Sequence, residues 1–251
     1  MIEERVYSST SILIVGAHAF DAEVIAGPLA AVAATRGISV ALLHLSMGEQ
    51  GHTSLEPAAY AEQKRREAAA AAERLGAAWR SFDIPDGFVP DTDETALRIC
   101  DVIRQLRPET VIAHWPGSWH KDHRAAANAT RNAVFYAALP TLSRSGPAFS
   151  PNLLLFGQNW EDDEGFVPTH LIDVSEGIDR WRAALLQYEL ARGLSSFPYL
   201  DYYSALYRTH GCLRGSTHAQ AFASTSHSWN AGAGQMMPRS ARKDRGCGGA
   251  N

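Results

Sequence analysis

Two short stretches concentrate imidazole and carboxylate groups. The first is Ala17-His18-Ala19-Phe20-Asp21-Ala22-Glu23, and the second runs His114-Trp115-Pro116-Gly117-Ser118-Trp119-His120-Lys121-Asp122-His123. Together they hold four of the chain's ten histidines and two aspartates. An imidazole and a carboxylate three residues apart, joined by a further imidazole from elsewhere, form a ligand set that suits catalytic zinc and leaves positions open for water. Other divalent ions accept the same donors. Taken singly, a histidine after a strand is an ordinary hydrogen-bonded loop residue, and Asp21 alone reads as a helix N-cap. The pair of stretches carries more weight because both follow apolar runs that read as strands, where ligands gather in open parallel sheets.

The elements that must position these residues are legible in outline. Residues 11–17 (SILIVGA) and 39–45 (SVALLHL) are continuous apolar runs of the kind that suits strands covered on both faces. A helix is expected from Asp21 to about residue 36, stopped by Gly37, and a longer Ala-rich one from Pro57 to Leu75, closed by Gly76. WRSFDI (79–84) reads as a third strand, PDG as a turn, Asp93 to Leu106 as a helix and TVIAHW (110–115) as a fourth strand. A helix from Lys121 to Ala138, strands at 152–156 and 169–174, and one helix from Ser175 to about Arg192 follow. Repeated β–α cycles with short connections predict an α/β, Rossmann-like, mostly parallel sheet with helices on both faces. The domain is expected over residues 1–223, with 224–251, rich in Gly, Ser and Ala and lacking hydrophobic periodicity, as a flexible tail.

Composition narrows the function classes. With 23 basic against 27 acidic side chains the formal net charge is −4, which argues against nucleic acid as a partner. No apolar run approaches the roughly 18 residues of a membrane span, and no secretory leader is legible, so a cytoplasmic location is the expectation. Cys100, Cys212 and Cys247 are scattered and form neither a disulfide framework nor a metal knuckle. The first stretch also lacks the GxGxxG that cradles a dinucleotide pyrophosphate, which disfavours a nucleotide enzyme.

At these residues the chain resembles the LmbE-like or PIG-L-like family of metal-dependent N-acetylglucosaminyl deacetylases. AHAFDAE (17–23) is similar to the family's AHPDDxE, and HKDH (120–123) to its HPDH. The likeness continues in MGEQGH (47–52), in KRRE followed by AERLG (64–76), and in HAQAF (218–222). The resemblance implies His18, Asp21 and His123 as metal ligands, zinc or another divalent ion as cofactor, and a small N-acetylated sugar as substrate, in a chain that could form a homo-oligomer. It implies His120 as the group that stabilises the oxyanion or protonates the leaving amine, and Asp122 as the carboxylate that fixes its neighbours. Lys64 stands where many members have an Arg that contacts substrate, with the charge kept and the bidentate fork lost.

Phe20 departs from the pattern. The family's general-base aspartate belongs there, and a phenyl ring neither accepts a proton nor orients water. A metal lowers the pKa of its water to about 7, so some hydroxide forms unaided. Losing the base typically costs about 10² to 10⁴ in rate. His120, Asp122 and Glu49 are the substitute bases the sequence offers, Glu49 also being a candidate substrate contact and equally a loop residue of the GEQG turn. Glu23 reads as a support for the site, His44 and His170 as structural, and Trp115 and Trp119 as flanking aromatics. The expectation is therefore removal of an N-acetyl group from an amino sugar or related small N-acyl compound. The alternative is a catalytically impaired member that keeps the fold to bind metal or ligand.

Overall fold

The computed structural model describes residues 1–162 and 164–224. Beyond Ser224, the expected tail lies outside the described residues. The strands are β1 (Ser11–His18), β2 (Ser39–Ser46), β3 (Ala78–Ser81), β4 (Thr110–His114), β5 (Leu153–Gly157), β6 (His170–Asp173) and β7 (Ala219–Ala223). The helices are α1 (Ile2–Tyr7), α2 (Asp21–Thr35), α3 (Pro57–Leu75), α4 (Asp93–Leu106), α5 (Lys121–Ala138), α6 (Ile178–Leu185) and α7 (Tyr199–Arg214).

The described strands form one sheet in the order β3-β2-β1-β4-β5-β7-β6. The first five are mutually parallel, and β7 runs antiparallel to both β5 and β6. Because successive side chains point to opposite faces, β1 feeds two cores. Ile12 and Ile14 pack with Leu29, Ala68, Trp181 and Tyr203 of α2, α3, α6 and α7, whereas Leu13 and Val15 pack with Ile99, Ile103, Ala126 and Ala133 of α4 and α5. Strand order reverses between β1 and β4, and a crevice opens there at their carboxyl ends. His18 ends β1 and His114 ends β4, so the topology alone brings the two chemical stretches together.

Helix α2 runs directly out of the first stretch and is kinked. Pro28 cannot donate its backbone nitrogen, and Ala26 leaves helical geometry at φ −152°, ψ 16°. The carbonyls freed by the kink find side chains: Trp181 Nε1 donates to Glu23 O at 3.0 Å and Tyr207 Oη to Val24 O at 2.6 Å. Gln220 Oε1 accepts the Leu29 N–H at 2.9 Å. The kink is thus satisfied by α6, α7 and β7, which anchors the segment that carries the site.

Two expectations need correction. The single helix expected from Ser175 to Arg192 is broken into a 3₁₀ turn (Ser175–Gly177), α6, and a second 3₁₀ turn (Glu189–Arg192). The break lets Tyr188 turn inward, fully buried, to donate to Glu23 Oε1 at 2.6 Å. Asp21 does not cap α2. It is the first helical residue, Phe20 holds the N-cap position without a side-chain bond, and the Asp21 carboxylate instead accepts the His18 N–H at 2.7 Å. Of the two flanking aromatics, Trp115 packs edge-on to Phe156 and Phe166 and donates Nε1 to Glu164 O at 2.7 Å.

Candidate active site and metal centre

Asp21 is the hub of the crevice. Its Oδ2 lies 3.1 Å from His18 Nδ1, 3.3 Å from His123 Nε2 and 3.2 Å from His114 Nε2. The other ring nitrogens of the two outer histidines rest on carboxylates. His18 Nε2 is 3.2 Å from both Asp86 Oδ1 and Asp122 Oδ2, and His123 Nδ1 is 3.1 Å from Glu161 Oε2. Imidazoles backed by carboxylates in this way are fixed in tautomer and raised in basicity, as metal ligands are.

This constellation is positioned by backbone. His120 is the N-cap of α5 and its Nδ1 accepts the Asp122 N–H at 3.2 Å. Asp122, fully buried one residue into the helix, accepts N–H bonds from Gly87 at 2.8 Å and Val89 at 3.3 Å. The turn after β3 is thereby tied to the start of α5. Gly48 sits at φ 70°, where a Cβ would come within 3.2 Å of His18 Cβ, so the turn after β2 approaches the site through a residue without a side chain.

Electrostatics follow from burial and pairing. Burial opposes charge on His18, yet the Asp21 charge and the bonds to Asp122, Asp21 and Asp86 hold its pKa well above the usual value. His123 is raised to about 9, burial being outweighed by Asp21 and Glu161. His114 is driven down to about 4 by burial and by the charge of His123. Burial also resists ionisation of Asp21, but His123 and His18 pull its carboxyl well below the ordinary range. Lys64, almost fully buried, has its ammonium pKa lowered by burial, against the pull of Asp21, Glu67 and Asp86. For His120, burial and the neighbouring imidazoles His123 and His18 push downward.

Imidazoles and carboxylates are the borderline and hard donors that divalent zinc, or a similar ion, accepts, and Asp21 Oδ2 lies 3.1 Å from His18 Nδ1 and 3.3 Å from His123 Nε2. The donor chemistry around Asp21 thus fits a divalent metal. Among the described residues three compact groups could hold an ion: His18, His120 and His123; Asp21, His114 and His123; and His18, Asp86 and Asp122.

His18, Phe20, Asp21, Lys64, His120 and His123 line one cavity of ≈180 Å³, together with Asp86, Glu161, Tyr60 and Tyr199. Asp122 stands behind the histidines. Glu49 is outside the lining; its carboxylate accepts the Asp86 N–H at 2.9 Å and the Ser46 hydroxyl at 3.4 Å. Lys64 Nζ lies near the rings of Tyr60 and Tyr188, at 5.6 and 5.8 Å. Glu23 and His44 sit below, fully buried, with His44 Nε2 3.1 Å from Glu23 Oε2 and His44 Nδ1 accepting Trp79 Nε1–H at 3.0 Å. Phe20 has φ 104°, rare for a bulky side chain, and its buried ring meets Tyr188 and Tyr199 edge-on at 5.2 and 4.9 Å.

Sequence reasoning assigned no role to His114, Asp86 or Glu161. Each follows or ends a strand, at the carboxyl ends of β4, β3 and β5, and that position is the one signal that marks them. No short-range spacing links them to His18 or His123.

Residues 13–134 match the PIG-L family, described as GlcNAc-PI de-N-acetylase. Among curated proteins, the 4-oxalmesaconate hydratase of Pseudomonas putida is 34% identical over 135 residues, 51% of this chain and 52% of that protein. The 1D-myo-inositol 2-acetamido-2-deoxy-alpha-D-glucopyranoside deacetylase of Kineococcus radiotolerans is 31% identical over 171 residues, 54% of this chain and 47% of that protein. The chain thus spans about half the length of these curated relatives. A conserved protein from Thermus thermophilus has a similar solved structure, with TM-score 0.76 and 29% identity, covering 86% of this chain and 94% of that one.

Proposed function

Residues 13–134 of the chain match the PIG-L family, and from that likeness we propose that the chain is a metal-dependent hydrolase that removes the acetyl group from an amino sugar or a related small N-acyl compound. The observation that carries the reading is that His18 and His123 both lie against Asp21 beside His120. A divalent cation held by His18, Asp21 and His123 supplies Lewis-acid polarisation of the acyl oxygen and acidifies water.

The chain's own groups do the rest. Water adds to the amide carbon, the C–N bond breaks, and the proton that water loses ends on the departing amine. His120 accepts the Asp122 N–H at Nδ1, so its neutral ring carries the proton on Nε2 and can donate to the oxygen that gains charge. That tautomer makes it a donor and a poor proton acceptor. Phe20 offers nothing to water and Glu49 lies outside the lining, so the further cavity carboxylates beside Asp21 are Asp86 and Glu161, each paired with a site histidine.

A second reading is favoured by Lys64, a buried cation with no carboxylate bonded to it among the described residues. Together with the missing base at Phe20 and the likeness to a hydratase, it suits addition of water to an unsaturated carboxylate, with Lys64 meeting the carboxylate. Full-chain protein of known metal content, assayed for acetate release from N-acetylglucosaminides and for hydration of unsaturated dicarboxylates, separates the two. Acetate release that depends on metal supports the first reading, and metal with hydration alone replaces it. Metal with neither activity leaves a binding protein.

A further inference from the structure

Two departures from the family pattern meet in one cavity. Phe20 stands where the resemblance places the general-base aspartate, and Lys64 stands where it places an arginine. Both line the cavity and both face Tyr188, whose ring lies 5.2 Å from the Phe20 ring and 5.8 Å from Lys64 Nζ. The first departure removes a proton acceptor. The second replaces a guanidinium, which keeps its proton at any working pH, by an amine that can give its proton up.

The other polar groups lining the cavity are committed. His18, Asp21 and His123 are the proposed ligands, Asp86 and Glu161 are paired with histidines, and His120 presents an N–H. Burial pushes the Tyr60 and Tyr199 hydroxyls up, that of Tyr199 to about 12, so both stay protonated. Lys64 remains, 3% exposed, with Nζ paired to no carboxylate among the described residues. Gly48 keeps the gap between this amine and His18 clear: an added Cβ there would stand 3.4 Å from Nζ and 3.2 Å from His18 Cβ.

Burial lowers the ammonium pKa of Lys64 against the pull of Asp21, Glu67, Asp86 and Glu23, with Asp21 the strongest of the four. Tyr60 and Tyr188 offer it ring faces. Asp21, once it ligates a cation, no longer gives Lys64 its full charge, and a nearby cation repels an ammonium. Metal uptake thus favours the free amine.

We propose that Lys64 is the proton acceptor for the attacking water, the role that Phe20 leaves open. The inference deepens the N-deacylation reading and rests on it for the reaction. As water adds to the amide carbon, its proton passes to the lone pair of Nζ. When the C–N bond breaks, the ammonium returns that proton to the departing nitrogen, and the amine is neutral again.

The first test reads the amine itself. In the full chain, with and without zinc, the rate at which acetic anhydride labels Lys64 is followed against pH by mass spectrometry of the peptide that carries it. The labelling pKa should lie below the ordinary lysine value of about 10.4 and fall further, by about one unit or more, on zinc uptake. An ordinary or higher value in the zinc-loaded chain overturns the proposal.

The second test reads turnover of 4-nitrophenyl N-acetylglucosaminide at matched zinc content. Lys64→Arg and Lys64→Ala should each lower kcat by about 10² to 10⁴, and Lys64→Arg, which keeps the charge, should change KM less than about threefold. Methylamine should restore part of the loss to Lys64→Ala, in proportion to its free-base concentration. Acetate release that survives Lys64→Arg, or a Lys64→Ala variant whose KM alone rises and which no amine rescues, makes Lys64 a fixed charge and overturns the proposal. Absence of acetate release from the unaltered zinc-loaded chain on N-acetyl sugars instead sinks the deacylation reading, and the proposal with it.

Discussion

His120 Nδ1 accepts the backbone N–H of Asp122, and this one bond at 3.2 Å decides which proton the ring can offer the cavity. A neutral His120 therefore carries its proton on Nε2. The expected role is stabilisation of developing negative charge, so His120→Ala should lower kcat by about 10² to 10³. His120→Gln, which keeps an N–H donor, should recover part of that loss. Equal inactivity of the two variants at matched metal content would instead make His120 a proton acceptor.

Phe20 combines a left-handed backbone with a ring packed between Tyr188 and Tyr199. Aspartate tolerates φ 104° better than phenylalanine does, but the edge-on contacts are lost and a carboxylate enters a cluster already holding Asp21, Asp86 and Glu161. Phe20→Asp is expected to lower the melting temperature and to raise acetate release by about tenfold or more, up to the usual worth of a general base. A folded, metal-loaded variant with no gain would show that a base already serves the site.

Metal binding should be pH-dependent. In the metal-free protein His123 titrates at about 9, raised by Asp21 and Glu161 above an unfolded value near 6.5. Its protonated form therefore stabilises the metal-free fold below about pH 6.5, and that stabilisation is lost as pH rises through about 9. A ligand must be neutral, so zinc uptake at pH 7 should expel a proton from His123, and affinity should climb about tenfold per pH unit per proton until about pH 9. Calorimetry in buffers of different ionisation enthalpy measures this directly. Uptake without proton release would show that His123 is not a ligand.

Single replacement of His18, Asp21 or His123 by Ala should remove bound metal, measured by elemental analysis after gel filtration. Retention of metal by all three variants would overturn the donor set. His114→Ala should retain metal, because His114 touches Asp21 from the side facing the Ala17 backbone.

Glu23 accepts from Tyr188 at 2.6 Å and pairs with His44 at 3.1 Å, all three being fully buried. Glu23→Ala strands two buried polar partners and should cost about 3 kcal/mol or more in urea unfolding. A loss below about 1 kcal/mol would mean that the network relaxes onto other partners.

Local patterning determined a large part of this molecule. Helix α3 begins at Pro57 and ends at Gly76 in the left-handed conformation because those residues set the backbone locally, and β1 and β2 are continuous apolar runs because both faces are covered. That the stretches holding His18, Asp21 and His123 would meet was legible because both lie beside strand ends, where topology must converge, whereas the resemblance alone singled out these three residues. Tertiary structure decided what no short window contains. Helix α7 was missed because YLDYYSALYRTHGCLR is rich in aromatics and carries an internal Gly, so its helical state depends on burial of Tyr203 and Tyr207 against the sheet. Strand β7 exists by slotting between β5 and β6, neighbours more than 40 residues away in sequence. Asp86 and Glu161 became partners of His18 and His123 only when separate strands brought their loops to one crevice. The His120 tautomer likewise depends on a capping bond at the start of α5, since a proton's position is set by the partner a nitrogen meets and not by its neighbours in the chain.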